Sequence, residues 1–474
     1  MKLSRAVSTT GKGIRSLGNS RAPYSTLVRT LPCSDIARVD TASSSRTART
    51  QPQSAYLCSR KYTRGTLANN RRSYSSSSAP LNRTALYDLH LAHGAKMVPF
   101  GGFEMPVYYT GLSVSASHHF TREKASLFDV GHMVQHRFEG PGAAAFLQRI
   151  TPGSLESLPK HQSTLSALLW PETGGIVDDT IVTRLGPELF YVVTNAACRE
   201  KDLGYLGEQL SAWDGAEVRH EVLDGWGLIA LQGPLSEELL NQILEDPAAT
   251  NLREVYFGQS VFAKVKGATD PVLISRGGYT GEDGFEISIS PADTVNVTKT
   301  LLETSGPEKL QFAGLGARDS LRLEAGMCLY GHDLDDTKTP VEAALSWIVG
   351  KDRRTPESDA DKFHGADVIL AQLKPKSKGG SGVSTRRVGL VVEGAPAREG
   401  AEIVTAEGND NIGVITSGCP SPTLGKNIAM GYVKDGMHKA GTEVQVLVRG
   451  RARKAVITKM PFVPAKYWKG PAPA

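Results

Sequence analysis

Charge in this chain is split between its two ends, and the split fixes which residues can build a core. The first 79 residues carry fourteen Lys and Arg against two acids, Asp35 and Asp40, a net of +12. The whole chain is +5, so the remainder stands at −7. A segment rich in Arg, Ser and Thr and nearly free of acids has the composition of a mitochondrial transit peptide; a disordered basic tail with another role is the alternative. Arg72-Ser73-Tyr74-Ser75 resembles a matrix-protease site, with Arg three residues before the cut. Residues 1–74 are therefore read as a presequence addressed to the mitochondrial matrix, and the fold is expected to start near Ser75. The acidic body argues against a nucleic-acid partner, which would call for a basic folded surface. No stretch approaches the roughly 18–20 continuous apolar residues of a membrane helix, so no membrane role is expected.

The body is too long for one ordinary domain and changes style along its length. From 82 to 350, helical and strand signals alternate. Leu203, Leu206, Leu210 and Trp213 recur at helical spacing, whereas Phe190-Tyr191-Val192-Val193 is a buried strand. In Gly284–Ser290, Phe285, Ile287 and Ile289 alternate with polar residues, which places Glu286 on the opposite face. Residues 351–383 are charged, then rich in Lys, Gly and Ser, and predict a connector with a short helix over 366–373. From 384 to 468 the pattern is short strands and turns: 388–392, 402–404, 412–416, 444–448 and 455–458. Such a series predicts a small β-barrel or sandwich. Of the five cysteines, Cys33 and Cys58 fall in the presequence, and Cys198, Cys328 and Cys419 are isolated. That spacing offers neither a metal cluster nor a disulfide framework.

Four runs carry possible chemistry. Gly174–Val182 holds Asp178 and Asp179 inside an apolar β segment. Neighbours on a strand face opposite ways, so one of the two is expected to point inward, where an unpaired carboxylate is costly; a strand-end turn with two solvated acids is the plainer reading. Gly277-Gly278-Tyr279-Thr280-Gly281-Glu282-Asp283-Gly284 is a tight turn that admits positive φ and close ligand approach, or simply a hairpin loop. It has neither dinucleotide nor phosphate-loop spacing. In Ala317–Gly326, Arg318 and Arg322 lie one helical turn apart, as for a carboxylate ligand or for surface ion pairs. His132, beside Met133, is a lone histidine among apolar residues, more typical of structure than of ligation.

Taken together, in order and spelling, these runs resemble the aminomethyltransferases of the glycine cleavage system from about Thr84 to Tyr467. Leu86–His90, Leu127–Met133, Gly174–Asp179 and Leu228–Pro234 carry the likeness first. Gly278–Gly284, Gly316–Gly326, Cys328–Gly331, Thr416–Pro422 and Lys459–Pro464 continue it. One departure is Gly131, where family members commonly have Ser. The resemblance implies an α+β, three-domain cloverleaf: two α+β domains, then a small C-terminal β-barrel, around a central folate pocket. It implies that Asp179 is the catalytic Asp and that Asn195 contacts the pterin. Tyr279, Glu286, Arg318 and Tyr467 match substrate-binding positions, and Met133 lines the pocket. The implied reaction takes the methylene carbon from an aminomethyl-lipoyl arm on H-protein to tetrahydrofolate and releases ammonia, without metal or flavin. Positive charge would develop at the reacting carbon, and a fixed carboxylate would stabilise it.

Two relatives of the same fold stay open. The folate half of a sarcosine- or dimethylglycine-oxidising enzyme usually brings a flavin domain with GxGxxG, which this chain lacks. A folate-binding factor of iron–sulphur assembly would carry Cys in the loop that here reads Tyr279-Thr280-Gly281-Glu282.

Overall fold

The computed structural model describes residues 80–408 and 410–471. The presequence reading of residues 1–74 lies outside the described residues. The first sheet has six strands in the spatial order Ser260–Ala263, Val272–Arg276, Gly284–Ile289, Gly227–Gln232, Ala125–Asp129, Leu310–Phe312. All pair antiparallel except the last, which runs parallel to Ala125–Asp129. The second sheet has five: Ser163–Leu169, Ile176–Gly186, Leu189–Thr194, Val134–Glu139, Arg219–Val222. The two are interleaved in sequence. The chain leaves the first sheet at Asp129, crosses through Val130–Met133, builds the whole second sheet, and returns at Gly227. Both sheets therefore come from one stretch of chain, and the crossing segment lies where they meet.

Strand alternation decides what each face packs against. Ile229, Leu231, Phe285, Ile287 and Ile289 bury against the helices Ser236–Ile243 and Thr294–Ser305. On the second sheet, Phe138, Val182, Phe190 and Val192 bury against Ala143–Ile150 and Arg199–Ser211. The inner faces meet each other through Tyr191 and Val193 from one sheet and Leu228, Ala230 and Leu273 from the other. The result is helix, sheet, sheet, helix. Each buried Leu, Ile or Phe side chain contributes about 1.5–3 kcal/mol.

The C-terminal part is a closed six-stranded barrel in the order Thr385–Val392, Lys426–Lys434, Asn411–Ser421, Glu402–Thr405, Glu443–Val448, Arg451–Thr458. The strand Lys426–Lys434 is not among those the sequence pattern predicts. It is buried from Ile428 to Val433, without alternation, because it contacts both the barrel interior and the neighbouring helix. That helix, Leu315–Glu324, joins barrel to sheets. Leu323 packs on Cys419, Ile428 and Met430, and Glu324 at its end accepts hydrogen bonds from Arg122, Ser421 and Thr423.

Residues 351–383 hold the expected helix, Ala366–Leu373. Their apolar residues are not idle: Phe363, Ala366, Ile369 and Val383 bury with Ala167, Leu169 and Ile176 against the edge of the second sheet. Gly174 and Gly175 make this approach possible. Gly174 has φ +65, and a Cβ at Gly175 would lie 2.0 Å from the Asp336 carbonyl oxygen.

Candidate active site

The inner faces of the two sheets do not fill the space between them. A hollow enclosing about 280 Å³, open mouth included, is lined by Ile181, Thr183, Tyr191 and Val193 from the second sheet. Leu228, Leu273, Ser275, Glu286 and Ser288 line it from the first. Asp179 precedes Ile181 and Thr183 on the same strand face. Ile181 pairs with Val193, so Asp179 stands across from Asn195, the residue just beyond the neighbouring strand. The acid thus lies at the end of the row that lines the hollow.

Asp178 and Asp179 separate as strand geometry requires. Asp178 is fully buried and Asp179 partly so. Asn195 ties them together: its Nδ2 donates to Asp178 Oδ1 and to Asp179 Oδ1, each at 2.9 Å, and its backbone N–H donates to Asp178 Oδ2 at 2.7 Å. Burial, and then the charge of Asp178, push the Asp179 carboxyl up to about 7. A carboxyl there exchanges its proton near neutral pH, which is what general acid–base work needs.

Glu286 faces the hollow, opposite the buried Phe285 and Ile287. Burial raises its pKa, and the positive charge of Arg318 works against that rise. The Arg318 guanidinium lies 4.7 Å above the Tyr279 ring, and its buried Nη1 has no partner among the described residues. An orphaned guanidinium N–H whose charge reaches Glu286 is an unused donor for a polar or anionic ligand. Tyr279 donates its hydroxyl to the Cys328 carbonyl, which fixes the ring under Arg318.

The two arginines that share a helix face in the sequence have different fates. Arg322 is 3% exposed and fully engaged. It donates to Asp319 at 2.9 Å, Asp333 at 2.7 Å, the Met327 carbonyl at 3.1 Å and the Ser417 hydroxyl at 2.9 Å. A paired-arginine ligand clamp is therefore corrected to one arginine for the site, Arg318, and one for the structure. The Gly277–Gly284 turn is likewise held from behind. Gln232 donates to the Gly277 carbonyl and accepts from Thr280, and Arg122 donates to the Thr280 carbonyl and to Glu282. Gly278, at φ +154, would set a Cβ 2.0 Å from the Gln232 side chain. Its small size serves this clasp.

Met133 is partly buried and packs beside Phe128, Val130, Tyr191 and Val193 at the crossing between the sheets. His132 next to it is 3% exposed, with Nδ1 unpartnered among the described residues. Burial lowers its pKa to about 4, so the ring is neutral. Tyr467 sits farther out. Its ring stacks on Phe257 at 4.1 Å, and the charges acting on its hydroxyl are Arg122 and Glu282. The segment that carries it lies along the Gly277–Gly284 turn, with Lys466 N–H donating to the Gly281 carbonyl at 2.8 Å.

Other residues of the spelled runs turn out to build the frame. His90 Nε2 meets Asp129 Oδ2 at 2.8 Å, Thr84 donates to the same oxygen at 2.5 Å, and the Tyr109 hydroxyl lies 3.0 Å from His90 Nδ1. This buried network sets the crossing segment Val130–Met133. A buried carboxylate with nothing in sequence to mark it, Asp202, lies behind Asp178.

Comparison with known proteins bears on the same residues. Residues 86–353 match the GCVT N-terminal domain model, and residues 385–464 match the glycine cleavage T-protein C-terminal barrel domain. A probable mitochondrial aminomethyltransferase of Schizosaccharomyces pombe is 48% identical over 399 residues, covering 84% of this chain and 97% of the relative. A mitochondrial aminomethyltransferase of Mesembryanthemum crystallinum is 46% identical, covering 84% of this chain and 93% of its own length. The crystal structure of glycine cleavage system aminomethyltransferase T from Bartonella henselae superposes with a TM-score of 0.72 at 37% identity. The superposition covers 82% of this chain and all of that one.

Proposed function

We propose a chemistry for this pocket from the premise that the chain belongs to the glycine cleavage T-protein family and is an aminomethyltransferase of that system. Tetrahydrofolate is the co-substrate that family membership implies. The residues present suit it: Glu286 can accept N–H donors from a flat amide and amine edge, and the unpartnered Arg318 Nη1 can bind an anionic or carbonyl oxygen. When bound, tetrahydrofolate supplies the acceptor of the one-carbon unit. The carbon would come from an aminomethyl-lipoyl arm of H-protein, with release of ammonia and formation of 5,10-methylenetetrahydrofolate.

This chain's own residues then have distinct tasks. Asp179, with Oδ1 held by Asn195, carries a proton between leaving and accepting nitrogens. As a carboxylate it also stabilises positive charge at the reacting carbon more than water would. Asn195 fixes that carboxylate and in this reading contacts the pterin. Tyr279, Arg318, Met133 and Tyr467 lie outside the lining of the hollow itself, and in this reading they contact the substrate around it. The carrying observation is the partly buried Asp179 carboxyl, raised to about 7, on the strand whose next inward residues, Ile181 and Thr183, line the hollow with Glu286.

The localisation of the named relatives and the basic first 74 residues support import into the mitochondrial matrix. The decisive test is ammonia release and methylenetetrahydrofolate formation from aminomethylated H-protein, with and without tetrahydrofolate. Turnover that needs neither H-protein nor folate would refute the reading.

A further inference from the structure

Behind the two adjacent acids lies a third that the mechanism does not use. Asp202 sits in the first turn of the helix Arg199–Ser211 and is fully buried. Neither of its oxygens has a well-formed hydrogen bond among the described residues, and the Thr194 hydroxyl is near enough only to favour its charged form weakly. Its carboxyl, the Asp178 carboxyl and the Cys198 thiol all lie within 4.8 Å of one another. Two carboxylates cannot both stay ionised in so dry a space. One proton shared between them removes the conflict and gives Asp202 a close partner in Asp178.

The surroundings decide which acid holds that proton. Asp178 already accepts from the Asn195 backbone N–H and from Asn195 Nδ2. An ionised carboxylate has about four acceptor sites, and the Cys198 thiol and a protonated Asp202 would fill the rest. Asp178 is therefore the ionised member and Asp202 the neutral one. The other groups facing Asp202 are Thr194, Lys201 and the buried Tyr205 hydroxyl. The Lys201 ammonium is turned to the Tyr330 hydroxyl at 2.5 Å and to Asp336 at 3.1 Å. With Asp178 saturated by donors and an ammonium alongside, the trio suits a proton and not a metal ion.

We propose that Asp202 is a positioning residue: as a neutral acid it donates to Asp178, which fixes Asn195, which in turn aims the Asp179 carboxylate at the reacting centre. The proposal rests on the reading of Asp179 given above. The chain of contacts is continuous, because one Asn195 amide group spans both acids at 2.9 Å. Loss of the donor would loosen Asn195. It would also let Asp178 take up a proton more readily and so remove the negative charge that helps hold the Asp179 pKa up.

The test compares Asp202→Asn, Asp202→Ala and Asp179→Asn in the full enzyme with aminomethylated H-protein and tetrahydrofolate. Turnover, KM for folate, thermal midpoint and the pH profile are measured for each. Asn keeps an N–H donor without a titrating proton, so Asp202→Asn should retain turnover within about threefold and leave the acidic limb in place. Asp202→Ala should lose about tenfold or more in kcat with little change in KM, and its acidic limb should move to lower pH. The proposal is overturned if Asp202→Asn is as inactive as Asp202→Ala, which would mark a needed carboxylate or a bound cation. It is equally overturned if Asp202→Ala keeps kcat and limb unchanged, or loses activity only in step with its melting point. An active Asp179→Asn sinks the reading of the pocket itself, whereas an inactive Asp179→Asn beside a normal Asp202→Ala sinks this proposal alone.

Discussion

Replacing Asp179 by Asn should make the protein both more stable and nearly inactive, and the size of each effect follows from its surroundings. The carboxyl is raised from 3.8 to about 7, first by burial and then by Asp178. A raised acid destabilises the fold when ionised: the cost is fully present above the folded pKa and disappears as pH falls toward the unfolded value of 3.8. About three pKa units at 1.36 kcal/mol each set a ceiling of about 4 kcal/mol at pH 8. Asp179 is partly exposed, and water offsets much of this, so the expected gain is about 1–2 kcal/mol, or roughly 1–2 °C in thermal midpoint for a fold of this size. The gain should shrink as pH falls below about 7. Turnover should drop about 10²-fold or more, the scale of a general acid–base group, while folate affinity changes far less because the charge acts on the transition state. In the unaltered enzyme, turnover should fall about tenfold per unit as pH drops below the Asp179 pKa. Asp178→Asn is the contrast. It sets an amide against the two Asn195 N–H donors, so it should lower the midpoint, at a cost of about 1–3 kcal/mol. Paired thermal melts and steady-state kinetics across pH decide the matter. A less stable Asp179→Asn, or one that turns over normally, would refute the reasoning.

Three further outcomes are expected. Glu286→Ala should weaken tetrahydrofolate binding by about 1.5–3 kcal/mol, the worth of a charge-assisted hydrogen bond; unchanged affinity by calorimetry in a folded variant counts against the assignment. Burial opposes the charge on Glu324, yet hydrogen bonds from His118, Ser421 and Thr423 hold its pKa down to about 2. Its contribution should be complete above its ordinary value of 4.5 and lost as pH falls through about 2. Glu324→Gln should therefore cost about 3–5 kcal/mol at neutral pH, with little difference from the unaltered chain in strong acid, as denaturant melts at the two pH values would register. Finally, the mature protein isolated from mitochondria should begin at or within a few residues of Ser75, and an intact Met1 on the functional protein would rule that out.

Periodicity along the chain was enough to identify the strand that carries Glu286, the short helix Ala366–Leu373 and the strand-rich C-terminal part, because each is a local repeat imposed by a buried face; it did not show that the Glu286 strand is covered on both faces, since the second sheet lies over its polar side. It also required that Asp178 and Asp179 face opposite ways, since the pleat allows nothing else. The spelled runs carried the family. Periodicity left out the Lys426–Lys434 strand, since a segment buried on both sides shows no alternation. Nor could spacing separate Arg318 from Arg322. They sit one turn apart, and only the docking of the barrel brings Ser417 to Arg322 while leaving Arg318 over Tyr279. The pKa of Asp179 and the burial of Asp202 behind Asp178 are likewise products of tertiary packing. Each depends on which charges are near and how little water lies between them, and residues 178 and 202 become neighbours only when the helix Arg199–Ser211 closes on the second sheet.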